Sequence, residues 1–123
     1  MSISNYAENA LLDALFNNTA LQKAARYVKL HTGDPGEVGT ANAATETTRK
    51  SVTGAAASGG VFTSVNDLQW TNVAATETYS HISIWDDPTA GNCLWTGALT
   101  ASKSVNAGDT FTLPTGQLTV SLD

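Results

Sequence analysis

From position 61 onward the chain is cut into short apolar-alternating runs by turn residues at close, regular intervals, and this rhythm limits the fold more than any other feature. The runs are 61–64, 68–71, 79–85, 93–99, 110–113 and 117–122. Between them stand Asn66-Asp67, Asp86-Asp87-Pro88 with Gly91-Asn92, Asn106-Ala107-Gly108-Asp109 and Pro114-Thr115-Gly116. Such runs are too short for stable helices and suit strands joined by tight turns. The spacing predicts a mainly β fold, an antiparallel β-sandwich. Two runs carry bulk on both faces. In 79–85, Ile82 and Ile84 fall on one side and Tyr79, His81 and Trp85 on the other, and 93–99 is similar. Strands covered on both sides sit centrally, so these two are expected to form a central hairpin, with the N-terminal helix or a partner over one face. In the last run Leu118, Val120 and Leu122 face inward, and the C-terminus is expected to be paired.

The N-terminal third reads differently. Between 5 and 17, Leu11/Leu15, Leu12/Phe16 and Ala7/Ala10/Ala14 recur at helical spacing. Asn5 followed by Glu8 suggests a capping box, and Asn17-Asn18 stops the run. This predicts one short amphipathic α-helix whose apolar stripe needs a sheet or a neighbouring subunit to cover it. Residues 26–32 alternate as a first strand. Residues 33–48, opening with Gly33-Asp34-Pro35-Gly36, have little to bury and are expected to form an extended exposed loop. A short strand follows at 49–53, and 54–60 is a small-residue spacer. The whole, 1–123, is expected to be a single β-sandwich domain.

Composition closes off several classes of function. Only 14% of the 123 residues are charged, and the formal net charge is −5. Nucleic-acid binding calls for clustered Lys and Arg, so no nucleic acid is expected as a partner. No run of ~18 apolar residues is present, so no membrane span is expected. Residues 1–5 lack a basic patch followed by an apolar block, so no secretory signal is expected. Cys93 is the one cysteine. It can form no internal disulfide, and at the head of an apolar run it reads as a buried small hydrophobe.

The residues that carry chemistry do not converge. His31, His81 and Cys93 show no metal-ligand spacing, and both histidines read as partly buried structural residues. Asp86 and Asp87 stand before Pro88 as turn formers. Asp34 and Glu37 flank Pro35-Gly36 but lack the further acids that a calcium ion needs. No nucleophile elbow, zinc-protease or phosphate-loop motif occurs. At least two of Trp70, Trp85 and Trp95 read as core aromatics rather than a sugar-stacking platform. No enzyme activity, cofactor, metal or small-molecule substrate is expected.

Three stretches together resemble a family of small tailed-bacteriophage virion proteins. They are the segment running from Asn5 to Asp13 (NYAENALLD), that from Tyr27 to Glu37 (YVKLHTGDPGE) and that from Gly97 to Asp109 (GALTASKSVNAGD) continuing into Leu118-Thr119-Val120. Members of that family are labelled either tail fibre protein or capsid cement (decoration) protein. Where the family often has an aromatic-Ala-Arg stretch, this chain reads Thr47-Thr48-Arg49-Lys50, keeping the arginine and not the aromatic. The resemblance carries no catalytic residue. It implies a structural virion protein made in the bacterial host cytoplasm. The first expectation is a cement protein on the capsid exterior, bound to the major capsid protein and to copies of itself as a homotrimer. The alternative is a tail fibre or baseplate-associated protein. The contact residues expected are Ser2, Ile3, Ser4, Asn5 and Tyr6 of the N-terminal segment, and Asp34, Pro35, Glu37, Val38 and Glu46 of the loop.

Overall fold

The central hairpin forms as expected, and it is longer than the apolar runs that announce it. A computed structural model describes residues 2–21, 23 and 25–121. The hairpin is built from β6 (Glu77–Trp85) and β7 (Cys93–Val105). At its far end Glu77 pairs with the buried Val105 and Thr78 with Ser104, whose hydroxyls are 2.9 Å apart. The remaining elements are β1 (Ser2–Ile3), α1 (Asn5–Phe16), β2 (Tyr27–His31), β3 (Lys50–Ser51), β4 (Val61–Thr63), β5 (Leu68–Trp70), β8 (Phe111–Leu113) and β9 (Thr119–Ser121). They form a five-stranded sheet in the order β1-β7-β6-β2-β3 and two antiparallel ribbons, β4-β9 and β5-β8. Every strand pair is antiparallel.

The core lies between the large sheet and the ribbons. Val28, Leu30, Ile82, Ile84 and Trp95 come from the sheet, and Leu68, Trp70, Phe111, Leu113 and Leu118 from the ribbons and the turn before β9. Trp70 and Tyr79 both pack on Phe111, with ring centroids 5.7 and 5.2 Å away. All three tryptophans are buried, and the Trp70 indole N–H donates to the Thr48 carbonyl at 2.8 Å. At the C-terminus Leu118 is buried and Val120 half-buried, whereas Leu122 lies outside the described residues.

Two expectations are corrected. Strict alternation places Tyr79 on the His81 side of its strand, yet it is fully buried in the core beside Phe111. The register between β6 and β7 shifts there: Tyr79 pairs with Lys103 and His81 with Ala98, so residues 99–102 stand opposite Ser80 alone. A bulge breaks the period of two and re-aims a side chain. The second correction concerns the helix cap. Ser4, not Asn5, is the N-cap, and its hydroxyl accepts from the Ala7 N–H at 3.2 Å. Because Ser2 and Ile3 pair with Thr96 and Trp95, the chain leaves the sheet at Ser4 and the helix starts there. Glu8 is then one residue too far along for a capping box.

The loop 33–48 is exposed over most of its length, but four of its residues, Pro35, Gly39, Ala44 and Glu46, are buried. This loop, rather than the helix, covers the outer face of the sheet over Trp85 and Cys93. The helix lies beside β7 with no buried residue of its own.

Ser4 ties three features together, since its hydroxyl also donates to the Cys93 carbonyl and its N–H donates to the Leu94 carbonyl. Ser4→Ala removes the cap and a buried hydrogen bond. It is expected to cost about 1–2 kcal/mol of unfolding free energy, measured by urea denaturation, with a loss of helical circular dichroism in the native baseline.

Candidate functional site

The two segments singled out in the sequence meet at the start of β7. The N-terminal segment holds the carbonyls of Cys93 and Leu94 through Ser4. From the other face, the loop presses Gly39 onto the Cys93 side chain. Both segments are thus parts of the fold before they are surfaces.

The loop is wired by its own polar residues. The Asp34 carboxylate accepts from the Gly36 N–H at 2.9 Å, and the Asn42 side-chain amide donates to the Asp34 carbonyl at 2.9 Å. Gly36 and Asn42 hold positive φ, as such a tight return requires. Thr32 and Ala44 donate to the carbonyls of Asn42 and Leu30, seating the returning strand against β2. Gly39 also has positive φ, and a Cβ there would lie 2.5 Å from the Cys93 sulfur. Farther on, the Glu46 carboxylate accepts from the N–H groups of Thr48 and Ala74, and Glu77 accepts from Thr45.

Beneath the loop runs a buried polar chain. The Trp85 indole N–H donates to the Ser83 hydroxyl at 2.7 Å. That hydroxyl donates in turn to His31 Nε2 at 2.7 Å, and His31 Nδ1–H donates to the Ala41 carbonyl at 2.9 Å. The Ala41 carbonyl fixes a proton on Nδ1, and in the neutral imidazole Nε2 is then the acceptor for the Ser83 hydroxyl. His31 is fully buried, and burial holds its pKa below the ordinary histidine value despite the bond to Ala41. The Arg49 guanidinium lies 4.3 Å over the Trp85 ring and donates to the carbonyls of Asp87 and Ala90, both at 2.8 Å. Arg49 therefore fastens the β6–β7 turn to the sheet, a role its place in the sequence does not reveal.

None of these groups is arranged for catalysis. Cys93 is buried, and burial pushes its thiol up to about 11, so the nucleophilic thiolate is suppressed. Asp87 accepts from the N–H groups of Thr89 and Ala90, which hold its carboxyl below the usual range. Burial alone would raise Asp86, but donors from Asn92 and Lys23 bring it below that range as well. Both are turn formers, as read from the sequence. Among the described residues no group of three or more His, Cys, Asp or Glu is placed to hold a metal ion.

The contact residues expected from the sequence divide by exposure. Ser2 and Ile3 are strand residues, Ser4 is buried, Asn5 is exposed, and Tyr6 is partly exposed with its hydroxyl accepting from Lys23. In the loop, Asp34, Glu37 and Val38 are exposed, whereas Pro35 and Glu46 are buried within the chain itself. The surface that the loop offers is therefore its tip. Sequence reading missed two grooves. One, of about 780 Å³, runs between the bulged part of β7 and the 110–121 segment, with Leu99, Lys103, Phe111 and Leu118 in its walls. The other, of about 450 Å³, lies between α1 and the β4-β9 ribbon and is almost wholly apolar. It is walled by Ile3, Ala7, Ala10 and Leu11 on one side and by Phe62 and Val120 on the other. The Ala7/Ala10 spacing was the available signal, because small residues on a helix let it approach a neighbour closely.

Comparison with known proteins yields a family. The family model described as "Podophage GP4 fiber I protein gp80" matches residues 2–121, and the chain belongs to that family. It is thus a structural protein of a bacteriophage virion. No curated protein matches the chain.

Two outcomes test this construction. Gly39→Ala forces an L residue into positive φ against Cys93 and is expected to destabilise by about 1–3 kcal/mol. Truncating the neighbour with Cys93→Ala should recover only the steric share, as a double-mutant cycle in urea would show. For His31, a folded pKa below the unfolded value means the unfolded chain takes up the proton first. Stability should fall as pH drops below about 6.5 and level off below the folded pKa. His31→Phe, less stable at pH 8, should show a shallower slope across that window in denaturation midpoints.

Proposed function

We propose that this chain is a fibre component of a podophage virion, a non-catalytic building block that binds copies of itself and a neighbouring virion protein. The observation that carries the reading is the family match, which spans 2–121 and names a fibre protein. The chemistry agrees with it. The acids at the β6–β7 turn are engaged in hydrogen bonds, the thiol is suppressed, and the histidine between Ser83 and Ala41 is held neutral, which leaves shape and apolar surface as the means of action. Capsid cement, with the major capsid protein as partner, was the first expectation from sequence. The family description favours the fibre alternative over it.

Within this reading the partner-facing residues are the exposed members of the two segments: Asn5 and Tyr6 in the first turn of α1, and Asp34, Glu37 and Val38 at the loop tip. Many such contacts of modest strength, repeated through an assembly, add up through effective concentration rather than through any single strong bond.

The test is location on the particle. Gold labelling of a tagged chain in intact virions is expected to mark the tail, with a copy number far below that of the capsid subunits. Label spread evenly over the head, at hundreds of copies, would overturn the fibre reading in favour of cement.

A further inference from the structure

Helix α1 is apolar on two sides. Its Ala7, Ala10 and Leu11 side walls the groove against Phe62 and Val120. At helical spacing, Glu8, Leu12, Leu15 and Phe16 form a second stripe pointing away from it, with Leu12 54%, Leu15 73% and Phe16 77% exposed. Five of the seven exposed large hydrophobics among the described residues (Tyr6, Leu12, Leu15, Phe16 and Leu21) fall between 6 and 21. A monomer scatters its exposed apolar residues; concentrating four of them on α1 and a fifth just beyond it marks an interaction surface.

Charge indicates the occupant. The outward stripe carries one carboxylate, Glu8, whose side chain has no partner among the described residues, and α1 has no basic residue. The groove is apolar with two cations on its wall, Lys23 and Arg26. Lys23 is already spent on Asp86, at 3.1 Å, and on the Tyr6 hydroxyl. Arg26 is not: its Nη1 reaches only the Lys23 carbonyl at 3.5 Å, and its Nε has no hydrogen-bond partner among the described residues. Three apolar side chains with one carboxylate thus face an apolar trough with one uncommitted guanidinium, and the same chain supplies both halves.

We infer that copies of this chain assemble by seating the Glu8-Leu12-Leu15-Phe16 stripe of one in the α1 groove of the next, with Glu8 meeting Arg26. Donor and acceptor surfaces use different residues, and each copy offers one of each, so the contact is completed when the copies close on themselves, reciprocally in a dimer or head-to-tail in a ring. The inference deepens the fibre reading by naming the surface through which copies meet. Its test uses purified protein, so its failure is distinguishable from a failure of the labelling experiment on particles.

The experiment is sedimentation equilibrium with native mass spectrometry on the full chain. The wild type is expected to form a closed oligomer of fixed size. Leu15→Ser with Phe16→Ser, at exposed positions, should give a monomer with unchanged circular dichroism. Ala10→Arg, which fills the groove and leaves the stripe intact, should do the same. Mixing these two variants should yield a one-to-one heterodimer, because one intact stripe and one intact groove remain. Glu8→Arg should weaken assembly about tenfold, and adding Arg26→Glu should restore part of that loss. A wild type that stays monomeric overturns the proposal, as does an oligomer indifferent to the stripe and groove variants, or a mixture of the two that stays monomeric.

Discussion

The structure depends on covering both faces of the β6–β7 hairpin. Its inner face carries Ile82, Ile84 and Trp95 into the core, and its outer face carries Ser83 and Trp85, which are also buried. A strand apolar on one side can leave the other to water; one burdened on both sides must find two covers. The ribbons β4-β9 and β5-β8 supply the inner cover, and the loop from β2 supplies the outer one. Most of the remaining architecture follows from that demand, including the short strands, which need only be long enough to roof the hairpin.

The outer cover is unusual in being mostly polar backbone. A loop laid over a sheet brings N–H and C=O groups that must be satisfied where water is excluded. Here the solution is a chain of side chains: Trp85 to Ser83, Ser83 to His31, and His31 to the Ala41 carbonyl. Asp34 and Asn42 close the loop on itself, and Glu46 and Glu77 take up N–H groups on its return. Polar residues that resemble a potential binding cluster in the sequence are thereby consumed as internal fasteners. The same holds for Asp86 and Asp87, whose oxygens hold the β6–β7 turn. Exposed apolar surface is concentrated on α1 and the groove beside it, which is the feature the assembly proposal rests on.

How far the sequence could be read depends on the range of the physics involved. Strand positions, the 79–85/93–99 hairpin, the turn roles of Asp86 and Asp87 and the burial of Cys93 and at least two of the tryptophans all come from local alternation and turn chemistry, which neighbours in the chain decide. The misses share another cause. Tyr79 changes side because β7 inserts extra residues opposite Ser80, and no periodicity within β6 registers what its partner strand does. The buried members of the loop 33–48, Pro35, Gly39, Ala44 and Glu46, go unread because they are few, scattered and mostly small or polar. Arg49 shows no local pattern at all, since its partners Trp85, Asp87 and Ala90 are far along the chain.

By itself, then, the sequence determined a mainly β antiparallel chain with one N-terminal helix and few charges, because composition and short-range period are properties of the chain alone. Only the tertiary structure decided which element covers which face, which polar side chains are spent inside, and that α1 keeps an apolar stripe turned away from its own domain. Those outcomes turn on strand register and on contacts between distant residues, where a single bulge or a glycine against a sulfur redirects the packing.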